Sequence, residues 1–251
     1  MNRQPRVQNS ESGIQNLKLS ASSQFERNGF QVVNPVISHR ECNILTTELT
    51  PLYEQQQKSA KNKIGGVRNL LRTSAAVEKL AGSQPIIFVL ESIINRRPFP
   101  VRAIFFDKNP DSNWLVPWHQ DLAIAVAGHV ENPTFSGWSI KDGVPHVHPP
   151  PEILEGMITL RLHLDDCSAE NGALKIIPGS HQQGKLNAAA IAQLTQASQP
   201  VVCEVPKGGA LLMRPLLLHA SSPATHPSHR RVLHIEYATQ ELPHGLNWYK
   251  N

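Results

Sequence analysis

Met157-Ile158-Thr159-Leu160-Arg161-Leu162-His163-Leu164 alternates without a break, with Ile158, Leu160, Leu162 and Leu164 on one face and Thr159, Arg161 and His163 on the other. Period-two alternation is the pattern of a β-strand. A polar row on such a strand faces water in an open sheet and lines the cavity of a barrel with a polar interior; alternation alone serves both. Downstream, Asn171-Gly172 is a tight-turn signal ahead of a strand over Ala173 to Ile177. Val201 to Val205 and Ala210 to Met213 flank Lys207-Gly208-Gly209 and read as a hairpin, the second strand continuing past Pro215 towards His219. A last strand covers Arg231 to Tyr237. Many short strands at regular spacing point to a sandwich or jelly roll, and 251 residues suit one such domain.

Upstream the pattern is mixed. Residues 1 to 20 are polar and aperiodic, which reads as a mobile tail. A short helix over Ser22 to Asn28 is closed by Gly29, and Phe30 to Val33 is a strand. Ser38 and Glu41 have capping-box spacing, which predicts a helix over His39 to Tyr53, followed by a surface loop over Gln55 to Arg68. Ser74 caps a helix ending near Gly82, and Pro85 suits the first turn of another over Ile86 to Ile94, an apolar run that also reads as a buried strand. Phe99-Pro100 interrupts before a strand over Val101 to Phe106, and Lys108 to Ser112 is turn chemistry. Ala127 to Glu155 is long, irregular and proline-rich, the composition of a lid or substrate-binding insert.

Composition excludes several classes. A net charge of +4 without basic runs gives no nucleic-acid face, and no apolar stretch reaches membrane-spanning length. Three separated cysteines indicate reduced thiols in a cytoplasmic protein. They offer no paired spacing for structural zinc, and no Gly-x-Ser-x-Gly elbow supports a serine hydrolase.

His-x-Asp occurs twice, at His119-Gln120-Asp121 and His163-Leu164-Asp165. On a strand, residues two apart share a face, so either pair can hold one metal ion from a single side, and spacing does not choose between them. Asp165-Asp166 leads into turn chemistry, whereas Asp121 precedes the apolar Leu122 to Val126 and reads as a strand residue. One hundred residues after His119, His219 follows three leucines. Two histidines and a carboxylate on one face are the ligand set of non-haem Fe(II) oxygenases.

The ordered set Phe106 to Pro110, Trp118 to Asp121, Leu164-Asp165-Asp166, Asn171 to Leu174, Ile177 to His181, Leu218 to Ser222 and Arg230-Arg231 resembles the phytanoyl-CoA dioxygenase family of Fe(II)- and 2-oxoglutarate-dependent oxygenases. The resemblance implies a double-stranded β-helix core with flanking helices, and His119, Asp121 and His219 as the catalytic metal ligands. It implies that the arginine eleven residues after the last histidine, Arg230, grips the distal carboxylate of 2-oxoglutarate, while Arg231 points to the opposite face. Lys108, Gln120, Thr159, Arg161 and Ser221 are then candidates to line the co-substrate pocket. Trp118, Trp138 and Lys141 are candidates to meet the substrate, and His181 to orient a loop beside the metal.

The activity so implied uses Fe(II), 2-oxoglutarate and O2 to hydroxylate an unactivated C–H bond of a small molecule. Related halogenating enzymes carry a small residue where this chain has Asp121. The expected protein is a monomer or weak homodimer without nucleic-acid or membrane partners. A reading from another class is a catalytically inactive cupin-like protein that binds metal or a small molecule.

Overall fold

The computed structural model describes residues 22–59 and 66–249, so the expected tail lies outside the described residues. A helical stretch over residues 22–28 (α1) ends at Gly29, whose φ of 79° is the left-handed cap conformation. Strand β1 (Phe30–Val33) leads to α2 (His39–Ser59), then α3 (Leu70–Thr73), α4 (Ala75–Ala81) and α5 (Gln84–Ile94). The strands follow: β2 (Phe99–Lys108), β3 (Val116–His119), β4 (Ile124–Ala125), β5 (Ser136–Lys141) and β6 (Val144–His148). After α6 (Pro151–Glu155) come β7 (Ile158–His163), β8 (Leu174–Ile176), α7 (Ala188–Ala197), β9 (Val201–Cys203), β10 (Ala210–Met213), β11 (His219–Ser221) and β12 (Arg230–Ala238).

A five-stranded sheet, β1-β10-β7-β12-β2, and a four-stranded sheet, β3-β11-β8-β9, are both antiparallel throughout. This is a jelly-roll core. One face of the larger sheet, through Ala103, Phe105, Leu160, Leu162, Leu233 and Ile235, joins the helices' Leu45, Leu49, Leu70, Ile86 and Leu90 in one buried cluster. Each fully buried leucine contributes about 1.5–3 kcal/mol relative to exposure, so burial against the helices stabilises this face of the sheet. The opposite face points inward. It carries Lys108, Phe106, Ile104 and Arg102 on β2, Arg230, Val232, His234 and Glu236 on β12, and His163, Arg161 and Thr159 on β7. The polar row of β7 thus lies inside, where all its residues are buried.

The capping box of α2 forms as expected: Ser38 N–H donates to Glu41 at 2.8 Å and Glu41 N–H donates to Ser38 Oγ at 3.2 Å. The helix runs beyond Tyr53 to Ser59, because Glu54 to Lys58, although polar, are good helix formers with no breaker among them. Ser74 and Asn187 accept from Val77 and Ala190 as caps.

Four expectations are corrected. Phe99-Pro100 does not interrupt β2, since Pro100 sits at a register shift opposite Tyr237 where a missing N–H is tolerated. Val201–Cys203 and Ala210–Met213 are not a hairpin: the first pairs with β8 and the second lies between β1 and β7 in the other sheet. The chain likewise leaves β10 before His219, turning at Arg214 to Leu217 with an N–H···O bond of 3.0 Å, to enter β11 in the smaller sheet. Residues 127–155 are not irregular: β5 and β6 form a hairpin that extends β4 into a third sheet, over a buried cluster including Ile124, Phe135, Val147 and Trp248. Among the described residues no helix is long and apolar enough to cross a membrane.

Candidate active site

Where β3 and β11 lie side by side, His119 and His219 are direct cross-strand partners with ring centroids 4.2 Å apart. Strand β3 stops at His119, so Asp121 is not the strand residue its sequence context suggests. Its N–H donates to Pro215 O at 2.9 Å, which returns its carboxylate to the two rings. His119 Nε2 lies 3.7 Å from Asp121 Oδ1 and His219 Nε2 lies 3.8 Å from Oδ2. Among the described residues this is a group of metal-capable donors all within 4.8 Å of one another.

The tautomers are set by the backbone. His119 Nδ1 is 2.8 Å from Pro117 O, and His219 Nδ1 is 2.8 Å from Leu217 O. A carbonyl only accepts, so each Nδ1 carries its proton and each Nε2 keeps a lone pair facing the carboxylate, the arrangement of metal-binding histidine. Burial depresses His219 to about 4 against the opposing pull of Asp121, so its imidazole is neutral at pH 7. Burial pushes Asp121 up, but His219, His234, His119 and the Arg102 guanidinium outweigh it and hold the carboxyl well below the usual range. Its Oδ2 is buried with no hydrogen-bond partner among the described residues. An orphaned anionic oxygen beside two imidazole Nε2 atoms fits a divalent transition metal.

The second His-x-Asp has a different use. Arg231 donates to Asp165 from Nε at 2.7 Å, from Nη2 at 2.6 Å and from its backbone N–H at 2.9 Å, on the helix side of the sheet. His163 is buried, and neither of its ring nitrogens has a partner among the described residues.

A cavity of about 200 Å³ opens between the sheets, lined by the three donors, Arg102, Ile104, Phe106, Trp114, Arg161, Ser221, Arg230 and His234 among others. Surface grooves of about 620 and 680 Å³ lie elsewhere, away from the three donors, so size does not pick out the site; converging polar groups do. Arg230 enters from the larger sheet, buried, with Nη1 donating to Gly172 O and Nε lacking a partner among the described residues. Its cross-strand neighbour Lys108 is buried too, donating to Ser221 Oγ at 3.1 Å and Ser222 O at 2.7 Å. Burial and the nearby Arg230 charge lower the Lys108 ammonium to about 8.

Other candidates are placed elsewhere. Gln120 does not face the cavity: its amide donates to Gly184 O at 2.8 Å and Leu216 O at 2.7 Å and accepts from Leu186 N–H at 2.8 Å, bracing three loops. Thr159 is buried two residues beyond Arg161, next to Glu236, and is not among the cavity-lining residues. Trp138 stacks with His129 in the insert at 4.2 Å, and Trp118 is half-buried on β3 outside the cavity lining. His181 lies against Glu26 O at 3.1 Å under Gly29, away from the cavity.

Sequence reasoning missed Arg102, His234 and Glu236. Arg161 Nη1 donates to His234 Nδ1 at 2.8 Å, which leaves the proton on Nε2, 3.3 Å from Glu236 Oε1, and Arg102 donates to the same Glu236 oxygen. The signal was present as the period-two row Arg230, Val232, His234, Glu236, but its inward direction depends on the helices covering the other face.

The comparisons place this geometry. The chain matches the phytanoyl-CoA dioxygenase (PhyH) family over residues 25–232. No curated protein matches at a significant level. Among solved structures, AviO1 from Streptomyces viridochromogenes Tue57 is 22% identical with a TM-score of 0.66, covering 90% of this chain and 97% of that one. The 2-oxoglutarate-dependent carbocyclase SnoK from nogalamycin biosynthesis is 14% identical with a TM-score of 0.68, covering 91% and 86%. EctD from S. alaskensis, solved with 2-oxoglutarate and 5-hydroxyectoine, is 17% identical with a TM-score of 0.65, covering 87% and 74%. At these identities the likeness is one of fold, and it is the match over 25–232 that shows the chain to be a member of the phytanoyl-CoA dioxygenase family.

Proposed function

We propose that the protein is an Fe(II)- and 2-oxoglutarate-dependent dioxygenase that hydroxylates an unactivated C–H bond of a small molecule. The observation that carries this reading is the pairing of two Nε2 atoms on one sheet, and an orphaned Asp121 oxygen in the loop beside it, with the buried Arg230 on the sheet facing them. His119, Asp121 and His219 hold the metal. Arg230, supported by Lys108 and Ser221, takes the distal carboxylate of 2-oxoglutarate, because a guanidinium presents two parallel donors to a carboxylate. When bound, iron and its co-substrate supply the oxidising chemistry, by oxidative decarboxylation of 2-oxoglutarate to succinate.

The chain's own residues supply the rest. Pro117 O and Leu217 O fix the imidazole tautomers, Gln120 braces the loops behind the ligands, and Ile104, Phe106 and Trp114 keep the cavity dry. Asp121 keeps a metal position occupied by carboxylate, which supports hydroxylation over halogen transfer. The β5–β6 insert acts as a lid over a single domain spanning 21–251. With its three cysteines free and buried, the protein works in the cytoplasm as a monomer or weak homodimer, without nucleic-acid or membrane partners.

The test is anaerobic addition of Fe(II) and 2-oxoglutarate, followed by exposure to air. The expected result is a visible charge-transfer band that decays with formation of succinate. A band that persists in air without succinate would make the protein a binder and overturn the enzymatic reading.

A further inference from the structure

The inward face of the larger sheet is a ladder of four rows: Lys108 beside Arg230, Phe106 beside Val232 and His163, Ile104 beside His234 and Arg161, and Arg102 beside Glu236 and Thr159. Glu236 lies six positions after Arg230, so the backbone at the two ends is about 20 Å apart at strand rise, more than the length of a five-carbon diacid. A molecule held at Arg230 therefore leaves the Arg102 end free.

The charges on this face do not balance. Glu236 is its one acid among the described residues. It is shared by Arg102 directly and by Arg161 through the His234 ring. Arg230 and Lys108 have no carboxylate partner there at all, and Arg102, Arg161 and Arg230 each keep a buried Nε without an acceptor among the described residues. Asp121, across the cavity, is committed to the metal. A divalent ion and a dianionic co-substrate cancel each other, so cationic charge remains on the floor. Buried guanidinium without a counter-anion costs several kcal/mol, and folds retain it where an anion arrives.

One more cation stands on the insert, outside the cavity lining. The turn between β5 and β6 is latched to the chain before α3: Arg68 pairs with Asp142 at 3.2 Å and Asn69 Nδ2 donates to Asp142 O at 3.3 Å. Residues 66–69 are themselves tied to β2 by the Val67–Phe105 bridge. Lys141, the last residue of β5, is thereby held within electrostatic reach of Arg102, Glu236 and Asp121, and makes no ion pair among the described residues. We propose that the organic substrate carries a carboxylate, and that Arg102 and Lys141 hold it at the end of the cavity remote from Arg230. This rests on the oxygenase reading, in which the Arg230 end belongs to 2-oxoglutarate. The insert then contributes a substrate contact, and Glu236 acts as the positioning group that aims Arg102.

The test uses the whole protein loaded with Mn(II), with thermal unfolding as the readout. Stabilisation by 2-oxoglutarate is measured first; its absence overturns the oxygenase reading and takes this inference with it. With 2-oxoglutarate saturating, benzoate and benzamide are compared as probes of one shape and different charge, at equal ionic strength. Benzoate at ten times its Kd should raise Tm by roughly 3–5 °C, and benzamide should leave it unchanged. Lys141→Gln, on an exposed strand, should at least halve the benzoate shift without affecting the 2-oxoglutarate shift. Arg102→Gln, made together with Glu236→Gln so that no lone acid is buried, should abolish it. Equal responses to the two probes, no response to benzoate, a stronger response to phenyl phosphate, or full benzoate shifts in the variants would each overturn the proposal.

Discussion

His219 sits opposite His119 in the antiparallel pairing of β11 with β3, one register step from the Ser221–Val116 pair, and each ring is held by the carbonyl two residues before it. The approach of the two rings is thus a property of strand pairing, and Asp121 joins them from a loop tied to Pro215. His219→Ala and His119→Ala should each lower Mn(II) or Fe(II) affinity at least about 100-fold, since each deletes one of three protein ligands. Metal content after gel filtration and calorimetric titration measure this. Stoichiometric, tight metal in either variant would remove the triad assignment.

The two adjacent arginines should behave differently. Arg230→Ala should weaken 2-oxoglutarate binding by about 2–3 kcal/mol, or 30- to 150-fold, the scale of a lost charge-assisted pair of hydrogen bonds. Arg231→Ala should leave that affinity within twofold and instead destabilise the fold by about 1–3 kcal/mol, because Asp165 loses both guanidinium donors and keeps only the backbone N–H. Titration of 2-oxoglutarate alongside denaturant unfolding separates the two, and the reverse ranking would exchange their roles.

Lys108 should make co-substrate binding pH-dependent. Its ammonium, lowered to about 8 by burial and Arg230, is protonated below that pH and adds its charge to the anion site. Above it the amine is neutral and binding must first take up a proton, so the Kd for 2-oxoglutarate should rise as pH increases through about 8, towards tenfold per unit. Lys108→Met should bind more weakly below that pH and lose this dependence. A flat profile in the wild-type protein between pH 7 and 9.5 would contradict the assignment.

Gln120 is a brace, and its loss should show in stability before chemistry. Gln120→Leu deletes bonds to Gly184, Leu186 and Leu216 and leaves the buried Leu216 carbonyl and two part-buried groups unsatisfied, a cost of about 2–4 kcal/mol, or a Tm lower by roughly 4–12 °C. The affinity for 2-oxoglutarate should change less than in Arg230→Ala. A larger effect on 2-oxoglutarate than on Tm would restore Gln120 to the co-substrate pocket.

Local patterns settled much of this protein without tertiary information. The alternation of Ile158 to His163, the capping box at Ser38 and Glu41, and the cap at Ser74 are short-range features whose energetics lie within a few residues of chain, and each element forms where its pattern stands. The ordered motifs around His119, Asp121 and His219 likewise pointed to three residues that the fold brings within 4.8 Å of one another, because donors able to hold a metal must be particular residue types. What the chain pattern left open was direction and partnership. Whether the row Thr159, Arg161, His163 met water or a cavity depended on helices α2 to α5 covering the other face. Val201–Cys203 and Ala210–Met213 went to different sheets because pairing is decided by which strand edges are free, a non-local matter. The two His-x-Asp pairs are indistinguishable in spacing; only packing put Asp165 against Arg231 and left Asp121 Oδ2 without a donor. The linkage of Arg161, His234, Glu236 and Arg102 joins three strands far apart in sequence, so no window of the chain displays it, and that linkage is where the selectivity proposed for this site resides.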